Sequence, residues 1–207
     1  MQLAVIPFIL ILIMLVWLAF RKKDSTKYSP ANYGSIFYHE DDYRQVEIVP
    51  FENFNALIKQ AENIEEFAEK NFDGIGYSDI MVREENELKL KDRGIPVTEL
   101  EEVLLNLSLP RKTLVTTGIS PGEMVSKNTL GYGENWNGLF FQFESDIVSS
   151  IWIAGTIPTG KDKVTDTLNV LGRKWNLLLM DWNSCKLIDL KDKEQIVTYL
   201  SFEDYGE

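Results

Sequence analysis

The sequence predicts an α+β fold: an antiparallel sheet built of strand–strand–helix units with helices on one face, behind a single N-terminal transmembrane helix. Three observations predict it. Residues 3–20, LAVIPFILILIMLVWLAF, contain no charge, amide or hydroxyl and end on Arg21, Lys22 and Lys23. Between 51 and 72 the apolar residues fall at 51, 54, 57, 58, 61, 64, 67, 68 and 72, a continuous stripe at helical spacing. Short strand-like runs then recur in pairs ahead of helical stretches, over 35–72, 79–107, 139–175 and 176–202.

The apolar stretch matches a bilayer. Its 18 residues span roughly 27 Å as a helix, against a hydrocarbon core of about 30 Å. Thirteen of them are Leu, Ile, Val or Phe, which favours insertion by about 5 kcal/mol. Pro7 lies in the first turns, where a missing N–H does least damage. A cleaved signal peptide would open on basic residues and close on small ones; this stretch follows Met1 and Gln2 and closes on Leu18, Ala19 and Phe20. A buried core helix would keep a polar face. Arg21, Lys22, Lys23 and Lys27 face an uncharged N-terminal tail, so the positive-inside rule predicts a single-pass protein of the cell membrane with a cytoplasmic C-terminal domain. The expected organisation is an anchor at 1–23, a linker at 24–34 broken by Pro30 and Gly34, and an acidic domain at 35–207.

Along that domain, strands are predicted at 35–39 and 43–49 around the acidic turn Glu40, Asp41 and Asp42. Pro50 then opens the 51–72 helix, and Asp73 and Gly74 end it. Runs at 79–83 and 87–91 read as a hairpin. Thr98 and Glu101 form a capping box for a helix at 99–107 whose inner face is Leu100, Val103, Leu104 and Leu107. A strand is predicted at 113–117. Residues 118–139, with their glycines, read as irregular. Strands follow at 139–144 and 147–154, a helix at 163–175, strands at 176–182 and 186–190, and a last helix capped by Asp192 with Ile196, Tyr199 and Leu200 inward. The second and fourth units share a tempo that suggests a repeat.

Charge narrows the function. Beyond Lys23 the chain holds 18 Lys and Arg against 32 Asp and Glu, a net charge of −14. Such a field repels phosphate backbones, which argues against nucleic acid, and attracts a basic protein. The single cysteine, Cys185, permits no disulfide within one chain and reads as a small buried hydrophobe facing the same way as Leu187.

Residues 155–161, GTIPTGK, have the spacing and the strand-to-helix context of a phosphate-binding loop. Leu177, Leu178, Leu179, Met180 and Asp181 follow as a strand ending in a carboxylate. Yet Asp162 stands where a hydroxyl should hold Mg²⁺, and the chain leaves too little length for a nucleotide-binding sheet. His39 with Glu40, Asp41 and Asp42 is the one cluster with ligand chemistry, and no second histidine exists to complete a zinc site. No catalytic constellation, metal or cofactor is therefore expected. Residues 130–138, LGYGENWNG, set Tyr132, Glu134 and Trp136 among Gly and Asn, the makeup of a recognition loop. With Glu40, Asp41 and Asp42 they form the expected partner-binding surface.

In size, acidity and aromatic–polar style, carried by NLLLMDWNSCKLIDLKDKEQIVTYL at 176–200 and YHEDDYRQVEIVP at 38–50, the domain resembles the immunity proteins of bacterial polymorphic-toxin systems. The resemblance implies a tethered inhibitor that occludes a cognate toxin. The alternatives are a nucleotide-binding or enzymatic domain using the 155–161 loop, and a structural subunit of a membrane complex. The anchor reading makes a direct prediction. A chain beginning at Asp24 should be soluble and folded; aggregation of that chain, with the full chain well behaved in detergent, would make the apolar stretch part of the core.

Overall fold

The computed structural model describes residues 34–202. The span expected at 3–20 lies outside them, and among the described residues no helix is long and apolar enough to cross a membrane. The strands are β1 (Ser35–His39), β2 (Val46–Pro50), β3 (Arg111–Lys112), β4 (Leu114–Gly118), β5 (Met124–Val125), β6 (Thr129–Glu134), β7 (Asn137–Glu144), β8 (Ile147–Ala154), β9 (Leu177–Asp181) and β10 (Lys186–Asp189). The helices are α1 (Phe54–Asn71), α2 (Val97–Leu104), α3 (Lys161–Trp175) and α4 (Lys193–Phe202). The fold is α+β.

Seven strands form one sheet in the order β10-β9-β2-β8-β7-β6-β3, and every neighbouring pair is antiparallel. A second sheet of three strands, β1-β4-β5, pairs β1 with β4 in parallel. Side chains alternate across the large sheet, and both of its faces are buried. On one face Ile48, Ile151, Ile153, Leu177 and Leu179 join residues of α2, α3 and α4 in the main core. On the other, Val49, Leu178 and Met180 meet Leu57 and Ala61 of α1. Phe140, Trp152 and Ala154, further along that face, are covered by Ile36, Tyr38 and Val115 of the small sheet.

This corrects the one-sided packing expected from the sequence. Helix α1 lies opposite the other three, because strands buried at every position, such as β9 with its run of four apolar residues before Asp181, demand cover on both sides. It also corrects the first expected hairpin. β1 and β2 belong to different sheets; a short 3-10 turn (Glu40–Asp42) and Arg44 at φ 57° carry the chain between layers. No strands form at 79–83 or 87–91. There the Asn53 amide takes the strand's role, donating to the Leu88 carbonyl at 2.8 Å and accepting from its N–H at 3.2 Å. Strand–strand–helix units therefore do not repeat through the whole domain. The capping box is absent too: α2 begins after Pro96, and the Glu101 carboxylate instead binds Arg111 and the Tyr132 hydroxyl.

Residues 118–139 are more regular than expected. They contain β5, β6 and the start of β7, joined by a two-residue turn at Asn135 and Trp136. The glycines serve close packing: a Cβ at Gly131 would stand 2.8 Å from Ile36 Cγ2, so β1 can lie directly on β6. The C-terminal half follows expectation. Asp192 Oδ1 accepts from the N–H groups of Glu194 and Gln195, and Ile196, Tyr199 and Leu200 are buried. Cys185 and Leu187 both pack on the α1 side.

Gly172 supplies a test of the packing. A Cβ there would stand 2.3 Å from the Leu190 carbonyl carbon. Alanine is normally better than glycine within a helix by about 1 kcal/mol, but overpacking of this kind costs about 1–3 kcal/mol. Gly172→Ala should therefore lower the denaturant midpoint; a rise would mean that α3 does not approach Leu190, just after β10, this closely.

Candidate functional site

The expected recognition residues separate by their place along the hairpin, Tyr132 within the paired strand and Glu134 and Trp136 at its end. Tyr132 is 1% exposed and belongs to the core. Its hydroxyl donates to Glu101 Oε1 at 3.1 Å, and burial together with that carboxylate pushes it up to about 12. The residue is a structural tyrosine, not a surface anchor. Glu134 and Trp136 stay outside, at the tip of the β6–β7 hairpin, where Trp136 is 60% exposed.

Two flanking contacts hold this tip. The Phe37 N–H donates to the Asn135 carbonyl at 2.9 Å, and the Thr156 N–H donates to Asn137 Oδ1 at 3.1 Å. The second contact explains Gly155. Its φ is 57°, and a Cβ there would meet Asn137 Oδ1 at 2.1 Å. The hairpin tip and the 155–161 loop, distant in sequence, are thus one structural unit.

The loop opens onto a cleft of about 240 Å³, walled by Ile153, Ile157, Val164 and Leu200, with Thr156, Lys161 and Tyr199 on its polar side. The lysine that would cover a phosphate is engaged elsewhere. Lys161 Nζ donates to the Leu200 carbonyl at 2.8 Å, where a cation suits the C-terminal end of α4. Strand β2 runs between β8 and β9 in the opposite direction, so the parallel sheet of a nucleotide-binding fold is missing from this part of the domain.

The acidic turn sits further along β1. Glu40 and Asp41 are exposed and Asp42 is half-buried. His39 caps the turn by accepting the Asp41 N–H on Nδ1 at 3.2 Å. Glu40 follows Phe37 by three residues, about 10 Å of strand, so the tip and the acidic turn border the same strand. Among the described residues no group of three or more His, Cys, Asp or Glu is placed to hold a metal ion.

Two features escaped the sequence reading. One is a buried ionic cluster on the central strand. Glu47 Oε2 accepts from Arg44 Nε at 2.7 Å and Glu47 Oε1 from Trp182 Nε1 at 2.9 Å. Burial works to lower the Arg44 pKa, but the Glu47 carboxylate outweighs it and holds the guanidinium above its ordinary value. Arg83 lies 4.8 Å over the Trp182 ring, with its pKa lowered by burial and, after the counteracting Glu47 charge, by Arg44. The i, i+3 spacing of Arg44 and Glu47 was the available signal. The other feature is the 72–82 segment, where Phe72, Ile75, Tyr77, Ile80 and Val82 are all exposed.

Comparisons with protein-family models, with curated proteins and with solved structures find no match.

The shift at Tyr132 carries a pH prediction. A neutral hydroxyl is favoured in the folded chain, so its contribution is complete below the ordinary value of 10 and is lost as pH rises from there through about 12. Tyr132→Phe should cost about 1 kcal/mol near neutral pH, and its deficit relative to the parent should shrink across that alkaline window. A constant deficit in denaturant melts would show that the hydroxyl titrates normally.

Proposed function

We propose that the protein is a membrane-tethered protein-binding domain, an immunity-type inhibitor that neutralises a basic partner such as a cognate toxin. The anchor is the 3–20 stretch, with the domain on the cytoplasmic side. The observation that carries the reading is Trp136. A large aromatic residue stands 60% exposed on a two-residue turn whose backbone is pinned by Phe37 on one side and whose neighbour Asn137 is pinned by Thr156 on the other. Preorganised aromatic residues are the usual anchors of protein interfaces, since little conformational freedom remains to be lost on binding. Glu134 beside it, Glu40, Asp41 and Asp42 in the turn after β1, and the net charge of −14 beyond Lys23 attract a basic partner.

The nucleotide reading keeps one supporting observation, the cleft beside the 155–161 loop. The engagement of Lys161 with Leu200 and the antiparallel setting of the loop weigh against it. A nucleotide bound by the native state would raise its melting temperature; Mg-ATP and Mg-GTP are expected to leave it unchanged.

The test of the inhibitor reading is co-expression with the product of the neighbouring upstream gene. If that product arrests growth, the full chain should restore it. Trp136→Ala should lose the rescue, weakening the complex by roughly 2 kcal/mol or more, with an unchanged melting temperature. Charge reversal at Asp41 should mainly slow association. Rescue by Trp136→Ala at parental strength, or a large drop in its melting temperature, would move the binding surface elsewhere.

A further inference from the structure

The 72–82 segment, FDGIGYSDIMV, is neither buried nor loose. The Asp73 carboxylate accepts from the N–H groups of Ile75 and Gly76, both at 2.9 Å, and the Asp73 N–H donates to the Gly76 carbonyl at 3.1 Å. Phe72 and Tyr77 form a β-bridge across this turn, with ring centroids 5.3 Å apart. The turn therefore presents its apolar side chains on a formed scaffold. Ile75 at the tip is 96% exposed, Ile80 85%, Val82 83% and Tyr77 65%. So many large apolar groups in one exposed segment mark a surface that meets something other than water.

The sheet register locates this surface. Val46 pairs with both Ile153 and Asp181, so the end of β8 and the turn after β9 lie at one end of the large sheet. Gly138, paired with Ala154 at that end, lies against Ile36 at the start of β1. The described chain thus enters the domain here. Helix α1 starts after Pro50, at the opposite end of β2, and passes Cys185 at about Ile64, both residues packing in one cluster. Seven more residues carry α1 roughly 10 Å onward, so the 72–82 segment projects from the end at which β1 begins. Only residues 21–33 separate that entry point from the apolar stretch, a reach of at most about 45 Å. A domain so tethered meets the bilayer at high effective concentration.

We infer that the 72–82 segment rests on the membrane surface, with Phe72, Ile75, Tyr77 and Ile80 in the headgroup region of a bilayer rich in zwitterionic lipid. The inference rests on residues 3–20 spanning that bilayer. The segment carries Asp73 and Asp79 and no Lys or Arg, which fits a neutral headgroup layer and not an anionic one. Docked this way, the domain turns its Trp136 end toward the membrane and meets a partner there.

The test uses the full chain in phosphatidylcholine vesicles containing doxyl-labelled phosphatidylcholine. In a Cys185→Ser background, an environment-sensitive NBD dye is attached at Ile75→Cys or, as the control, at Glu144→Cys, which is exposed at the opposite end of β7. The expected result is a blue shift and strong quenching at position 75, several-fold greater than at 144. Chains that float with the vesicles while the position 75 dye keeps its water-exposed emission overturn the inference and leave the segment to a protein partner. Equal quenching at both positions overturns it as well, since the domain then has no preferred orientation. Chains that fail to float overturn the spanning reading itself, and this inference with it.

Discussion

Strand β2 has no free edge. Val46, Glu47 and Ile48 pair with β8 on one side, while Val46 through Pro50 pair with β9 on the other. Its side chains from Glu47 onward are buried. Without this strand β8 and β9 would not belong to one sheet, and the α1 layer and the three-helix layer would have no common floor. The partners lie more than a hundred residues along the chain from β2, so the sheet closes only after its C-terminal strands have formed, a costly long-range event. The buried Glu47 belongs to this constraint. A carboxylate under two layers is tolerated because Arg44 and the Trp182 indole satisfy it, and removing one partner of such a pair typically costs about 3–5 kcal/mol.

The surface inherits its order from that frame. Because β8 and β9 are held parallel on either side of β2, their C-terminal ends, the loop after β8 and the turn after β9 share one end of the sheet. The β6–β7 hairpin reaches the same end and is tied to Thr156 through Asn137. Rigidity at Trp136 is thus a product of packing at a distance, and not of the glycine- and asparagine-rich turn itself. The 72–82 segment follows the same logic: α1 is longer than the strands beneath it, and its overhang lifts the apolar turn clear of the sheet.

Much of this was legible in the sequence. The α1 helix, the strong strands β7, β8 and β9, the Asp192 cap and the inner residues of α2 and α4 all follow from local periodicity; of the α1 stripe Leu57 and Ala61 are buried, while Ile58 and Phe72 stay exposed. What escaped was non-local. Nothing around Glu40 says that β1 and β2 enter different sheets, because the deciding contact is Tyr38 packing against Trp152 and Phe140. Glycines at 131, 133 and 138 mimic a loop although they permit a strand beneath β1. That misreading put Tyr132 and Trp136 on one surface, whereas strand pairing buries the first and projects the second. The alternating pattern at 79–91 mimics strands, but Ile80 and Val82 find no sheet to cover.

The central claim is that β2 is the strand on which both layers depend, and native-state hydrogen exchange tests it most directly. Amides of Val46, Ile48 and Val49 should exchange only through global unfolding, with the same free energy and denaturant dependence as the most protected amides of β8 and β9. Amides at 74–76 and at Trp136 should exchange through local fluctuations. Exchange from β2 by a lower-energy opening, with β8 and β9 still protected, would contradict the account: the two halves of the sheet would then be stable without the strand between them.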